Sequence, residues 1–145
     1  MVLCTREMTP PLALMSRNKH VTLPRWEKVF SIEFFAASGE EPVRAFLLAL
    51  SAKARQKCIT YIDLLAMTGL ALRASHIKKL EADIWERRPE FGGTEYRIFF
   101  GTQGETFVLL HAITKKRQKV SRSDITLAQR RFNEWKERNE HEDEL

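Results

Sequence analysis

An α+β fold with the element order βααβββα is what the sequence predicts, and three observations predict it. A β-branched and aromatic segment follows Trp26, two apolar stripes at helical spacing lie between Pro42 and Gly69, and three strand-like segments with short turn signals between them precede a last amphipathic helix. Connections that short imply antiparallel pairing. The expected architecture is therefore a small antiparallel sheet packed by a helix hairpin and a C-terminal helix.

Each element has a local reason. Residues 1–24 show neither a period of 2 nor one of 3.6 and carry Pro10, Pro11 and Pro24 as breakers, so they read as a flexible leader ahead of a domain spanning residues 25–139. Val29, Ile32, Phe34 and Phe35 make the first strand. Pro42 suits a first helical turn, and Val43, Phe46, Leu47 and Leu50 recur on one face behind it. Ser51 suits the cap of a second helix, whose stripe is Ala54, Cys58, Ile62 and Leu65 and whose stop is Gly69. Strands are expected at 84–88, 96–100 and 107–113, with turns at Pro89–Gly93 and Gly101–Gly104. Ser121 followed by Asp124 forms a capping box for a final helix that buries Ile125, Ala128, Phe132 and Trp135, after which residues 140–145 read as a frayed acidic tail.

Composition narrows the function classes. The longest apolar runs, such as Phe107–Leu110, are far below the roughly 20 residues a membrane-spanning helix needs. Cys4 and Cys58, with no CxxC spacing, suggest neither a disulfide framework nor a thiolate metal site, which fits a reducing cytoplasm. Net charge is +5, but four of the acids lie in the last six residues, so residues 1–139 carry +9. Lys115, Lys116, Arg117, Lys119 and Arg122 form a run with no acid between Thr106 and Ser123, a candidate phosphate-binding surface whose plain alternative is a solvated basic turn.

Signatures of P-loop hydrolysis, dinucleotide binding, zinc proteolysis and the α/β-hydrolase mechanism are absent, and the four histidines at 20, 76, 111 and 141 lack metal-ligand spacing. No metal and no cofactor is expected. Cleavage of RNA through its own 2′-hydroxyl remains open, because it requires only a base, cations facing the phosphorane and an acid for the 5′-oxygen. Strand alternation makes Trp85 core and turns Glu86 and Arg88 toward an open face, where Arg97, His111 and the lysines after it complete a cationic cleft. On that reading, losing Arg88 or Arg97 lowers activity and spares the fold, whereas losing Trp85 unfolds it. The structural alternatives are an ion pair between Arg97 and Glu86 and a hydrogen-bonded, half-buried His111.

The segments Pro42–Leu47, Ala54–Lys57 with Tyr61–Leu65, His76–Leu80, Ile84–Arg88, Tyr96–Phe100 and Leu109–Lys119 occur here in an order that resembles the RelE/ParE toxin superfamily, in particular the phage-derived, HigB-like branch of type II toxin-antitoxin systems. The resemblance covers about Trp26 to Arg138. It implies a RelE-like fold, a ribosome-dependent mRNA endoribonuclease, and neutralisation by a helix-turn-helix, HigA-like antitoxin. It also implies catalytic positions at Arg88, Arg97, Lys115 and Lys116 with Tyr96 or His111 assisting, and RNA-binding positions at Lys78, Lys79, Arg117 and Lys119. Superfamily members differ in target, so a ParE-like gyrase inhibitor and a non-catalytic basic nucleic-acid-binding module stand beside that reading.

Overall fold

The computed structural model describes residues 30–72, 77–81, 83–115 and 120–144; the leader and residues 116–119 of the basic run lie outside them. Its elements are β1 (Ser31–Phe34), α1 (Pro42–Ala49), α2 (Ala52–Thr68) with a 3₁₀ turn at Gly69–Leu72, β2 (Ile77–Glu81), β3 (Ile84–Arg87), β4 (Glu90–Phe91), β5 (Thr94–Gln103), β6 (Thr106–Thr114) and α3 (Arg122–Glu144). The class is α+β as expected, with the helices on both faces of a six-stranded sheet. No described helix is long and apolar enough to cross a membrane.

The sheet differs from expectation in two respects. It is mixed: the order is β1-β6-β5-β3-β2, and β1 runs parallel to β6. The chain between them includes both helices of the hairpin, so β1 is not bound by the short-connection rule that makes β3, β5 and β6 antiparallel. It also contains the edge strand β2, which the pattern concealed. A register shift between Lys79 and Glu81 breaks the alternation there, and two exposed lysines interrupt the apolar signal.

The hairpin of β3–β4 and β5 keeps one register from Ile84↔Gly101 to Phe91↔Thr94, closing on Gly92 and Gly93. Both glycines have positive φ, 60° and 80°, the conformation a two-residue hairpin turn requires. Gly101, expected in a turn, is instead inside β5. A Cβ there would meet the Phe132 ring of α3 at 2.7 Å, so the missing side chain is what lets that ring lie on the sheet.

Two apolar cores result, one per face. Between the sheet and the hairpin lie Val43, Leu47, Cys58, Ile62, Leu65, Trp85, Tyr96, Ile98, Phe100, Phe107 and Leu109. Between the sheet and α3 lie Phe35, Ile84, Phe99, Val108, Leu110, Ala128, Phe132 and Trp135. Ile125, expected with them, is half-exposed. The helix caps behave as read: Ser51 accepts from the Ala54 amide at 3.3 Å, and Ser121 bonds Asp124. α3 extends through Glu144 into the acidic tail, with no Gly or Pro after Gly104 to end it and with Glu134 paired to Arg138 one turn on.

Gly101→Ala is expected to cost about 1 to 3 kcal/mol by forcing the methyl against a fully buried ring, measurable by urea denaturation; an unchanged midpoint would show that α3 does not sit on Gly101.

Candidate functional site

Antiparallel partners point to the same face of a sheet. In β5 and β6, Gly101 faces Val108 and Phe100 faces Leu109, but Phe99 faces His111, so Leu110 is an extra residue with no partner of its own. This bulge inverts everything after it in β6. Strict alternation from Phe107 and Leu109 would send His111, Ile113 and Lys115 to the hairpin side; the bulge sends them to the α3 side. Arg131 of α3 donates from Nη1 to the Leu110 carbonyl at 2.8 Å, supplying a partner for the bulged residue.

The α3 side of the sheet beyond Phe99 carries the charged cluster. Glu86 is fully buried, and Arg97 Nη1 reaches both of its carboxylate oxygens at 2.8 and 2.7 Å. Arg88, opposite Arg97 in the extended register, brings Nε within 3.9 Å of the same carboxylate. On the other side of Arg97, Nη2 lies 3.4 Å from Glu95, and Lys115 Nζ lies 2.9 Å from that same Glu95 oxygen. Three cations and two carboxylates thus form one continuous row. Burial pushes the Glu95 carboxyl up, but the contact with Lys115 and the charges of Lys115, Arg97 and Arg88 together outweigh it and hold Glu95 below its usual range.

His111 lies beside this row, at the N-terminus of α3. Phe99 stacks on the imidazole with centroids 5.5 Å apart and planes at 14°. Nε2 lies 2.9 Å from Asp124 Oδ1, and the other Asp124 oxygen accepts from the Ser121 hydroxyl at 2.7 Å. For Asp124 too, burial raises the carboxyl while the bonds from Ser121 and His111 and the charge on His111 lower it, with a net shift below the usual value.

The expected site residues separate into three groups. Arg88, Arg97, His111 and Lys115 are brought together. Among these, Arg97 is a buried ion-pair partner, its side chain only 5% exposed, so the expectation that it faces a substrate from an open surface is corrected. α3 covers part of this face, and Glu86 provides the counter-charge that makes burial of a guanidinium tolerable. Arg88, Lys115 and His111 keep 29%, 20% and 16% of their side chains exposed and are the members of this group that reach solvent. Tyr96 does not join them: it is buried on the hairpin side, edge-on to Phe46 at 6.4 Å. Lys78 and Lys79 are exposed on the edge strand β2, Lys79 over the Trp85 ring, and Arg87 lies over Tyr61 on the hairpin side. Lys116, Arg117 and Lys119 lie outside the described residues.

Asp124 and Glu95 are the members that sequence reasoning missed. Asp124 was visible only as half of a capping box; that one of its oxygens serves the helix and the other a histidine depends on the bulge. Among the described residues no three His, Cys, Asp or Glu side chains converge as metal ligands. A groove of about 480 Å³ along α3, lined by Glu81, Arg122 and Arg130 among others, shares no residue with the cluster.

The model of a family described as phage-derived Gp49-like proteins (DUF891) matches residues 45–133, more than half of the chain. The chain belongs to the Gp49-like family. The match runs from α1 into α3 and so takes in the β6 bulge, the charged row, His111 and Asp124. A search of curated proteins returns no match.

Arg97→Ala and Glu86→Ala are each expected to cost about 3 to 5 kcal/mol, since either leaves a buried charge uncompensated, whereas Lys115→Ala, at the rim, should cost about 0 to 1 kcal/mol. Urea unfolding separates them, and an Arg97→Ala protein as stable as wild type contradicts the buried pair. Because the Glu95 and Asp124 carboxyls are lowered by folding, their contribution is complete above the ordinary carboxylate range near pH 4 and is lost as pH falls through the lower folded-state values. Stability should therefore fall on acidification below about pH 4, and less steeply in Asp124→Asn.

Proposed function

We propose that this Gp49-like protein is a toxin that cleaves mRNA on the translating ribosome, using the RNA's own 2′-hydroxyl as nucleophile. The observation that carries the reading is the convergence, through the β6 bulge, of an oriented imidazole and two part-exposed cations on one sheet face, next to the basic run that begins at Lys115. The association of the Gp49-like family with RelE and toxin-type proteins supports it at the coarser level of a toxin.

In the proposed reaction His111 takes the 2′-hydroxyl proton, the 2′-oxygen forms its bond to phosphorus, and the bond from phosphorus to the 5′-oxygen breaks. Arg88 and Lys115 face the charge that develops on the phosphorane, and Lys115 supplies the proton that the leaving 5′-oxygen needs. The products are a 2′,3′-cyclic phosphate and a 5′-hydroxyl. Arg97 does not touch the substrate; it keeps Glu86 and Glu95 in place so that Arg88 and Lys115 stay on the rim. The proposed partners are the ribosome with its mRNA and a helix-turn-helix antitoxin that covers the basic face.

Induced alone, the protein is expected to arrest growth and to leave translated mRNA with 2′,3′-cyclic phosphate ends, with purified cleavage persisting in EDTA. His111→Gln should slow cleavage by roughly 10²- to 10⁴-fold, the range for loss of a general acid or base. Intact mRNA together with altered DNA supercoiling would replace this reading with gyrase inhibition.

A further inference from the structure

A histidine transfers protons through one ring nitrogen at a time, and what the other nitrogen is bonded to decides which. Here that second bond is built into a different element. His111 presents Nε2 to Asp124 at 2.9 Å, and a carboxylate accepts only, so Nε2 is the nitrogen that carries hydrogen in the neutral ring. Nδ1 has no hydrogen bond to any described residue. Asp124 is itself immobilised, since Ser121 Oγ donates to its second oxygen at 2.7 Å and its backbone amide lies 3.2 Å from the same hydroxyl. Phe99 fixes the plane of the ring, and Arg131 holds the Leu110 carbonyl of the bulge that aims it.

We propose that Asp124, held by Ser121, is a positioning residue that fixes His111 as the Nε2–H tautomer and leaves Nδ1 as the atom that accepts the 2′-hydroxyl proton. The N-terminal turn of α3 then belongs to the site, although its sequence reads only as a helix start. The proton's route is closed at both ends: Nδ1 gains it from the hydroxyl, the imidazolium keeps its Nε2–H bond to Asp124, and after the products leave Nδ1 returns the proton to water while Lys115 regains from water the one it gave to the 5′-oxygen. Among the described residues, the charged groups on the His111 side of the sheet include Asp124 and Arg131 from α3, Glu86 and Arg88 from β3 and just past it, Glu95 and Arg97 from β5, and Lys115 at the end of β6. Asp124 is the carboxylate bonded to the ring itself, whereas Glu86 and Glu95 are bonded to Arg97 and Lys115, so removing Asp124 takes away the ring's own acceptor and leaves those ion pairs intact.

This inference rests on the proposed cleavage for its role but not for its geometry, and the test reads the two separately. Full-length protein carrying ¹⁵N-histidine is examined by long-range proton–nitrogen correlation, with the His111 signals assigned by their loss in His111→Gln. In wild type the neutral ring should show a bare Nδ1 and a protonated Nε2. Asp124→Asn should lose that preference and reduce kcat about a hundredfold or more with little change in KM. Ser121→Ala should move both readouts the same way by less, and Asp124→Glu should restore part of each. A wild-type ring protonated at Nδ1, or an Asp124→Asn protein with unchanged tautomer and unchanged kcat, overturns the proposal. An Asp124→Asn protein that only melts earlier, with its spectrum and its rate per folded molecule intact, overturns it equally. If the tautomer behaves as stated while wild type cuts no mRNA, the positioning stands and the functional reading falls.

Discussion

The chain makes one departure from regular pairing between β5 and β6, at Leu110, and the candidate site depends on it. A strand's side chains alternate, so adding one residue to β6 exchanges the faces of all that follow. With the bulge, His111 meets Phe99 and Asp124, Ile113 joins the α3 core, and Lys115 reaches Glu95. Without it, those three side chains would point at the helix hairpin, where Tyr96 and Phe100 already fill the space. The bulge is in turn held from the outside, by Arg131 on its carbonyl, while α3 is held to the sheet by Phe132 lying over Gly101 and by the Trp135 indole N–H donating to Glu33 at 3.1 Å. Fold and site therefore share their fastenings.

The electrostatics follow from where α3 stops. It covers the sheet from Phe35 to Phe99 with apolar contacts, and past its N-terminus the same face turns charged. Buried near that border, Arg97 requires a full counter-charge, which Glu86 gives; farther out, Arg88 and Lys115 share carboxylates while still reaching solvent. A row that alternates in sign keeps its cations close together without mutual repulsion. It leaves a net excess of one positive charge among these five groups, at the start of the basic run.

Much of this was legible in the sequence, and the parts that were not have a common cause. Helical spacing located both hairpin helices and α3, and capping residues Ser51 and Ser121 marked two starts correctly. Trp85 was assigned to the core, and the pairing of Arg97 with Glu86 was identifiable as an alternative because strand alternation put the two on one face. What failed were inferences needing information from outside the segment. β2 is irregular and lysine-bearing, so its pairing to β3 is decided by the partner strand. Gly101 reads as a turn until Phe132, 31 residues later, is seen to need its space. Tyr96 was placed in the site by the family resemblance alone, while strand alternation already sent it to the face opposite Arg97, where it is buried. The β6 bulge leaves no trace in a run as uniformly apolar as Phe107–Leu110.

The central claim is that the bulge turns His111 and Lys115 onto the α3 face. Nuclear Overhauser contacts from the His111 ring protons test it most directly. The account predicts contacts to the Phe99 ring and to the β-protons of Asp124. Contacts from that ring to Leu47 or Phe46 of the hairpin, in place of α3, would show β6 to be regular and would contradict it.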